Sequence, residues 1–295
     1  MAGRSGYNVS IVSGGPGRRR IRLFVLLSGA LILASVVPLT VAEFVLIDRN
    51  RRTLETLEEK YLTRSSAATA DHIAAYYAGA SQQLTKATDA IRLALQLTGK
   101  DPFGSSDGPE ILGSILKGQS QLAALRSVNL EGKGSFVGPD LHSPEMDFEF
   151  RKGFETARDG VRYAGEPFGA GEIGAVAVLA EPVVDAKGNR IGVVEALVSW
   201  QPIVREFQDE ARREVRSTLV DRRGRILFPP ATGGRGLVHP SSLVADFVRF
   251  PARLTRSETT PAGAVLASIA PVGDPPWGVL MSTVTATSRS PPWTA

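Results

Sequence analysis

Val178-Leu-Ala-Glu-Pro-Val-Val-Asp185 and Val265-Leu-Ala-Ser-Ile-Ala-Pro-Val-Gly-Asp274 are two writings of one segment, an apolar run that meets a proline and ends on an aspartate. Pro182 and Pro271 stand about 90 residues apart, too far for a solenoid rung of roughly 20–50 residues and right for a small domain. A second pair agrees with this period. Asn129-Leu-Glu-Gly-Lys-Gly134 lines up with Leu219-Val-Asp-Arg-Arg-Gly224, placing Gly134 on Gly224. The back of the chain is therefore expected to hold two modules of one kind.

Periodicity around the repeats supplies the elements of each module. In the first copy, Leu125–Leu130 and Ser135–Val137 flank a Glu131-Gly-Lys-Gly134 turn, Asp147–Ala157 has helical character, and Val176–Ala180 and Ile191–Ser199 flank Asp185-Ala-Lys-Gly-Asn189. The second copy repeats the plan: Ser217–Asp221, Arg225–Phe228, a helix near Ser241–Phe247, Gly263–Ala270 and Trp277–Thr283. Connections this short do not permit parallel crossovers, so each sheet is expected to be antiparallel with a helical insert on one face. Gln201–Arg216, helical and charged, joins the copies.

Ahead of the modules, Asp48–Leu97 reads as one long helix, with no proline, a single Gly79, and apolar residues at helical spacing in Leu54, Leu57, Tyr61, Leu84, Ile91 and Leu95. It is expected to lie as a scaffold against a sheet, its first turns serving as a stalk. Gly99, Asp101-Pro102 and Gly104–Pro109 mark its end and a loop. Further upstream, Leu23–Ala42 carries no charge. At about 1.5 Å per residue such a helix crosses a hydrocarbon layer roughly 30 Å thick. Met1–Arg22 holds five arginines and no acid, which places the N-terminus in the cytoplasm and the rest outside the inner membrane, single-pass. The alternative is a cleaved secretory signal with Leu23–Val37 as its apolar core and Thr40-Val-Ala42 as its cleavage site; either exports everything after Glu43.

Composition bounds the remaining functions. The chain has 295 residues, 43% apolar and 22% charged, enough for one or two cores. Its net charge of +4 becomes −1 for the exported part once the five tail arginines are removed, so nucleic acid is not an expected partner. There is no cysteine, hence no disulfide. His72, His142 and His239 are far apart and form no spaced metal or general-base motif. Gly132-Lys-Gly-Ser135 lacks the spacing of a phosphate loop, and no GxSxG element occurs. No catalytic residue, metal site or cofactor is assigned, and an enzyme is not expected.

The post-membrane helix, Leu179-Ala-Glu-Pro-Val-Val-Asp185 with Gly188 and Ile191-Gly-Val-Val194, and Val220-Asp-Arg-Arg-Gly224 with Ala270-Pro-Val272 and Trp277-Gly-Val279, resemble a double Cache sensor over Glu43–Thr283. The resemblance implies an α+β chain of two tandem PAS-like modules outside the membrane, the distal one holding a small ligand between its sheet and helical insert. The divisions expected are a basic tail 1–22, a membrane helix 23–47, the long helix 48–98, a distal module 99–207, a proximal module 208–285 and an irregular tail 286–295. Such sensors usually return through the membrane to a histidine kinase, a nucleotide cyclase or a methyl-accepting domain. Here only a short polar stretch follows Thr283. Two readings stand: a sensor without its own output domain, which signals through a separate partner, and a non-binding interaction protein or truncated remnant of a longer receptor. Homodimerisation through the long helix is the default expectation.

The same resemblance places the ligand near Arg151, Phe154, Tyr163, Glu166 and Glu181. Amino-acid-binding members carry an arginine followed two positions later by Trp-Tyr. Arg151 matches, but the next two motif positions are Gly153 and Phe154, so half of the aromatic cage is absent and a small carboxylate is the ligand class that Arg151 alone suits. Competing readings are a solvated Arg151 beside Lys152, sheet packing for Tyr163 and Phe168, and a solvent-facing Glu181 at a strand end.

Overall fold

A computed structural model of the protein describes residues 17–99, 101–104, 107–140, 143–228, 237–260 and 263–285, with side chains from residue 27 onward. Most of the basic tail, His142 and the tail 286–295 lie outside the described residues. Met1–Leu57 and Glu58–Ala295 are separate compact units.

The first unit contains the start of helix α1 (Gly17–Thr98). Among the described residues this one helix is long and apolar enough to cross a membrane. Two hydroxyls of its apolar stretch bond back to the helix: that of Ser35 donates to Leu31 O at 2.8 Å and that of Thr40 to Val36 O at 3.0 Å. Such internal bonding lets both hydroxyls sit in an apolar surround.

In the second unit, α1 continues as the scaffold expected of it. Leu62, Ala70, Ile73, Tyr77, Ala80, Leu84, Ala87 and Ile91 are buried at steps of three, four and eight, one stripe of a helix. This stripe joins residues of both sheets in one core. Gly99 ends the helix in the left-handed region (φ 65°), its N–H returning to Leu95 O at 2.9 Å. Helix α2 (Asp107–Lys117) follows, beginning inside the loop expected over Gly104–Pro109. Pro109 sits in its first turn, where a missing N–H costs nothing, and the close pairs Ile111–Leu112 and Ile115–Leu116 supply a helical face.

The chain then forms β1 (Leu122–Asn129), β2 (Gly134–Val137), α3 (Pro144–Arg158), β3 (Tyr163–Ala164), β4 (Phe168–Gly169), β5 (Ala175–Val184) and β6 (Arg190–Ser199). These strands make one antiparallel sheet in the order β2-β1-β6-β5-β3, with β4 also paired to β5. Helix α4 (Gln201–Arg212) leads to β7 (Arg216–Val220), β8 (Ile226–Phe228), α5 (Ser242–Arg249), β9 (Leu254–Thr260), β10 (Gly263–Pro271) and β11 (Gly278–Val284). Their sheet runs β8-β7-β11-β10-β9, so the two orders are the same and the quoted repeat falls on β5 and β10. The joining helix stops short of the expected Arg216 because Glu214 takes a left-handed conformation (φ 62°) and turns the chain into β7. Edge strand β9 was not read from sequence; Leu-Thr-Arg-Ser-Glu-Thr-Thr is polar and half exposed, without a buried alternation to reveal it.

The repeat is real, but one of its alignments shifts. Asn129, Asp185 and Asp221 each open a hairpin by accepting, on Oδ1, the amides two and four residues ahead, at 2.8 to 3.2 Å. Each is followed at the third position by a glycine in the left-handed region: Gly132 (φ 80°), Gly188 (φ 83°) and Gly224 (φ 74°). Gly132, not Gly134, is the counterpart of Gly224. Gly134 is glycine for a different reason: a Cβ there would lie 1.9 Å from Ser127 O on the paired strand.

An aromatic cluster occupies the junction of α1 with the two sheets. The Trp200 indole N–H donates to the Tyr77 hydroxyl at 3.0 Å, and the Trp277 ring stands 5.1 Å from that of Tyr77 and 5.9 Å from that of Trp200. On the proximal side, Glu210 accepts from Tyr61 at 2.8 Å and from Ser65 at 3.1 Å, and the Ser66 and Ser268 hydroxyls meet at 2.9 Å.

Candidate ligand site of the distal module

Helix α3 covers the face of the first sheet opposite α1. Ser143 caps it by accepting Met146 N–H at 3.1 Å, with Pro144 in the first turn. Alternation along β1, β5 and β6 sends Ala124, Val128, Val178, Ala180, Val193 and Leu197 toward this side, while Leu125, Leu179, Val194 and Ala196 join the core shared with α1.

Two charged residues interrupt the apolar face. Arg126 and Glu195 are cross-strand partners on β1 and β6. Glu195 is fully buried, Arg126 Nη1 lies 3.2 Å from Oε2, and neither carboxyl oxygen accepts a hydrogen bond. Burial pushes the Glu195 carboxyl up to about 8, against the opposing pull of Arg126. Beside it, the Tyr163 hydroxyl donates to Glu149 Oε2 at 2.6 Å. Burial and the Glu149 carboxylate hold this phenol far above its ordinary range.

These side chains explain the departure at Gly153. A Cβ at that position would meet Glu195 Oε1 and Tyr163 Cδ1 at 3.2 Å and Ala180 Cβ at 3.3 Å. The sheet's own polar residues fill the space in which the expected motif would carry tryptophan. What remains open is a cleft of about 450 Å³ at the start of α3, lined by Phe148, Glu149 and Lys152, and a smaller one of about 270 Å³ lined by Arg126, Asp147, Phe150, Arg151 and Phe154. In the smaller cleft the Arg126 guanidinium lies 5.6 Å from the Phe150 ring centre, and Phe136 meets Phe150 edge-on at 6.4 Å. The exposed Arg151 side chain packs over Phe148 at 5.8 Å. Two guanidinium groups on an aromatic wall have the charge and shape to pair with a carboxylate attached to an apolar body.

The five residues singled out by sequence do not share one cavity. Arg151 and Phe154 line the smaller cleft. Tyr163 packs behind it against Glu149 and Lys152. Glu166 pairs with Arg225 of the second module at 2.9 Å. Glu181 lies on the other face of the sheet, where it accepts from Thr85 at 2.9 Å and pairs with Arg162. The expectation that Glu181 faces solvent is overturned: it is 7% exposed, because the strand continues through Pro182 to Val184 and α1 covers that face. Phe168 is buried in the sheet packing expected of it. Arg126 and Glu195 are not among the residues expected from sequence. Their signal was present: each is a lone charge inside an apolar strand, Leu122–Val128 and Ile191–Val198.

No protein-family model matches the sequence, and no curated protein matches it. Solved structures do. The ligand-binding domain of the Pseudomonas aeruginosa PAO1 amino acid chemoreceptor PctC, in complex with GABA, matches with TM-score 0.56 at 18% identity, over 77% of this chain and 99% of that one. That of Pseudomonas fluorescens CtaA with L-isoleucine matches with TM-score 0.54 at 19% identity, over 81% and 97%. That of P. aeruginosa PAO1 PctB with L-Gln matches with TM-score 0.55 at 17% identity, over 78% and 92%. The scaffold helix, the two sheets of one strand order and these likenesses together give the chain the double Cache fold of chemoreceptor ligand-binding domains.

Proposed function

We propose that this chain is an extracytoplasmic sensor domain for a small organic carboxylate, held at the membrane by the apolar start of α1 with its N-terminus in the cytoplasm. The observation that carries this reading is the pairing of Arg126 and Arg151 around the Phe150–Phe154 wall, on the sheet face covered by α3. The bound compounds named for the similar structures, GABA, L-isoleucine and L-Gln, all carry a carboxylate, which supports the class.

The electrostatics favour such a ligand. With its carboxyl pushed up to about 8, Glu195 is mostly protonated at neutral pH, so the Arg126 charge is not neutralised from below and remains available. The ligand carboxylate takes one or both guanidinium groups while its apolar body rests on Phe150 and Phe154. Binding draws α3 toward β1, and the sheet passes the displacement to α1 through their shared core. The chain responds only as far as the ligand distinguishes the closed from the open arrangement. In this reading α2 through β6 form the distal, ligand-holding module (99–207), β7 through β11 the proximal one (208–285), and two copies pair through α1.

The test is a thermal melt of the full chain in detergent micelles against amino acids and small mono- and dicarboxylates. A ligand at 100 times its Kd adds about 2.7 kcal/mol to the folded state. The expected result is a carboxylate that raises the melting temperature of the wild type and not of Arg126→Ala or Arg151→Ala. A melt that no carboxylate moves, or a shift retained in both variants, overturns the reading.

A further inference from the structure

A second cleft, of about 550 Å³, opens on the opposite side of the distal sheet, between α1, strands β3 and β5, and the loop between β10 and β11. Its polar lining includes Ser81, Gln82, Thr85, Arg162, Glu181 and Asp274, and its apolar surface includes Ala78, Leu84, Leu179 and Pro275. We propose that this cleft binds an organic ammonium ion, an alkylamine or diamine, whose nitrogen replaces the Arg162 guanidinium at Glu181.

The two partners of this ion pair are unequally held. The Glu181 side chain is 9% exposed and fixed: Oε2 accepts from the Thr85 hydroxyl and Oε1 from Arg162. A buried carboxylate without a cation is costly, so this position requires a positive charge at all times. The Arg162 side chain that supplies it is 65% exposed and rises from the residue just before the two-residue edge strand β3. An arginine so exposed gains little from the pair beyond what water offers it. The demand is permanent and the present occupant exchangeable, as for a built-in substitute ligand. Alanine, leucine and proline surfaces between Glu181 and the exposed Asp274 suit a short methylene chain, and Asp274 offers a second carboxylate for a second ammonium. The occupant would touch the scaffold helix, the distal edge strand and a proximal loop together, a position from which it stiffens all three. This site shares no lining residue with the Arg126–Arg151 cleft, so it stands or falls independently of the carboxylate reading.

The experiment is isothermal titration of the full chain in detergent micelles with 1,4-diaminobutane, and with butyrate as the counter-probe. Expected are saturable binding of the diamine, at least a tenfold weakening by Glu181→Gln, a several-fold tightening by Arg162→Ala, which removes the internal competitor, and no change with Arg151→Ala. Arg162→Ala alters an exposed side chain, so it keeps the test decisive should Glu181→Gln fail to fold. No diamine binding to either wild type or Arg162→Ala overturns the proposal. So does binding of butyrate that Arg162→Ala abolishes, which would make Arg162 an anion site.

Discussion

Replacing Glu195 by glutamine should change how the protein's stability depends on pH. The carboxyl rises from an ordinary 4.5 to about 8 on folding, driven by burial and only partly opposed by Arg126. Between those values the folded chain keeps a proton that the unfolded chain has released, so each step up in pH favours unfolding. Above pH 8 both states are ionised and the cost is constant. The slope is about 1.4 kcal/mol per pH unit, which amounts to roughly 3 kcal/mol between pH 5 and pH 7. For a folded unit of this size that corresponds to roughly 6–12 °C in melting temperature. Glutamine has the shape of the protonated acid and does not titrate, so Glu195→Gln removes this component while leaving every other group as it was. Circular-dichroism melts of both chains at pH 5, 6, 7 and 8 give the difference directly. The wild type should lose its melting temperature faster than the variant up to about pH 8, and the two should run parallel beyond it. Parallel profiles over the whole range would refute the account of Glu195 as a buried, mostly neutral acid, and with it the reason for Arg126 being available to a ligand.

Three further substitutions test the fold. Gly134→Ala places a methyl group 1.9 Å from Ser127 O and 2.7 Å from Val128 Cα, both backbone atoms of the paired strand; a loss of about 3 kcal/mol or more is expected in chemical denaturation. Asp221→Ala takes the acceptor from the amides of Arg223 and Arg225 and leaves the Arg225 guanidinium with Glu166 alone; about 1–3 kcal/mol should be lost by the same measurement. Trp200→Ala empties the centre of the junction cluster and leaves the Tyr77 hydroxyl without its donor, for about 3–5 kcal/mol, read as a lowered melting temperature.

The elements most legible in the sequence were those whose pattern is local. Leu62 to Ile91 carries its own helical stripe, and the turns at Asn129, Asp185 and Asp221 announce themselves by an Asx residue with glycine three positions on. Helix α2 was hidden by Gly108 and Pro109, which mark a loop by composition although Pro109 lies in the one turn that tolerates it. Strand β9 was hidden because an edge strand needs no apolar alternation. The pairing of Gly134 with Gly224 failed because a glycine does not declare why it is a glycine: one serves a turn and the other a close approach of two strands.

The site was less legible than the fold. Arg151 and Phe154 could be found because they share one helix and a known spacing. Arg126 and Glu195 become a pair only when β1 and β6 are placed side by side, and nearly seventy residues of sequence separate them. Glu181 and Arg162 lie on the face covered by α1, which no local pattern distinguishes from the face covered by α3.

In the proposed function a small carboxylate sits between α3 and β1 in the distal module. Diffraction from crystals grown with the compound that most raises the melting temperature tests it most directly. The account predicts density for that compound in contact with the Arg126 and Arg151 guanidinium groups and the Phe150 ring. Density for it anywhere else, with this cleft unchanged, would contradict the account.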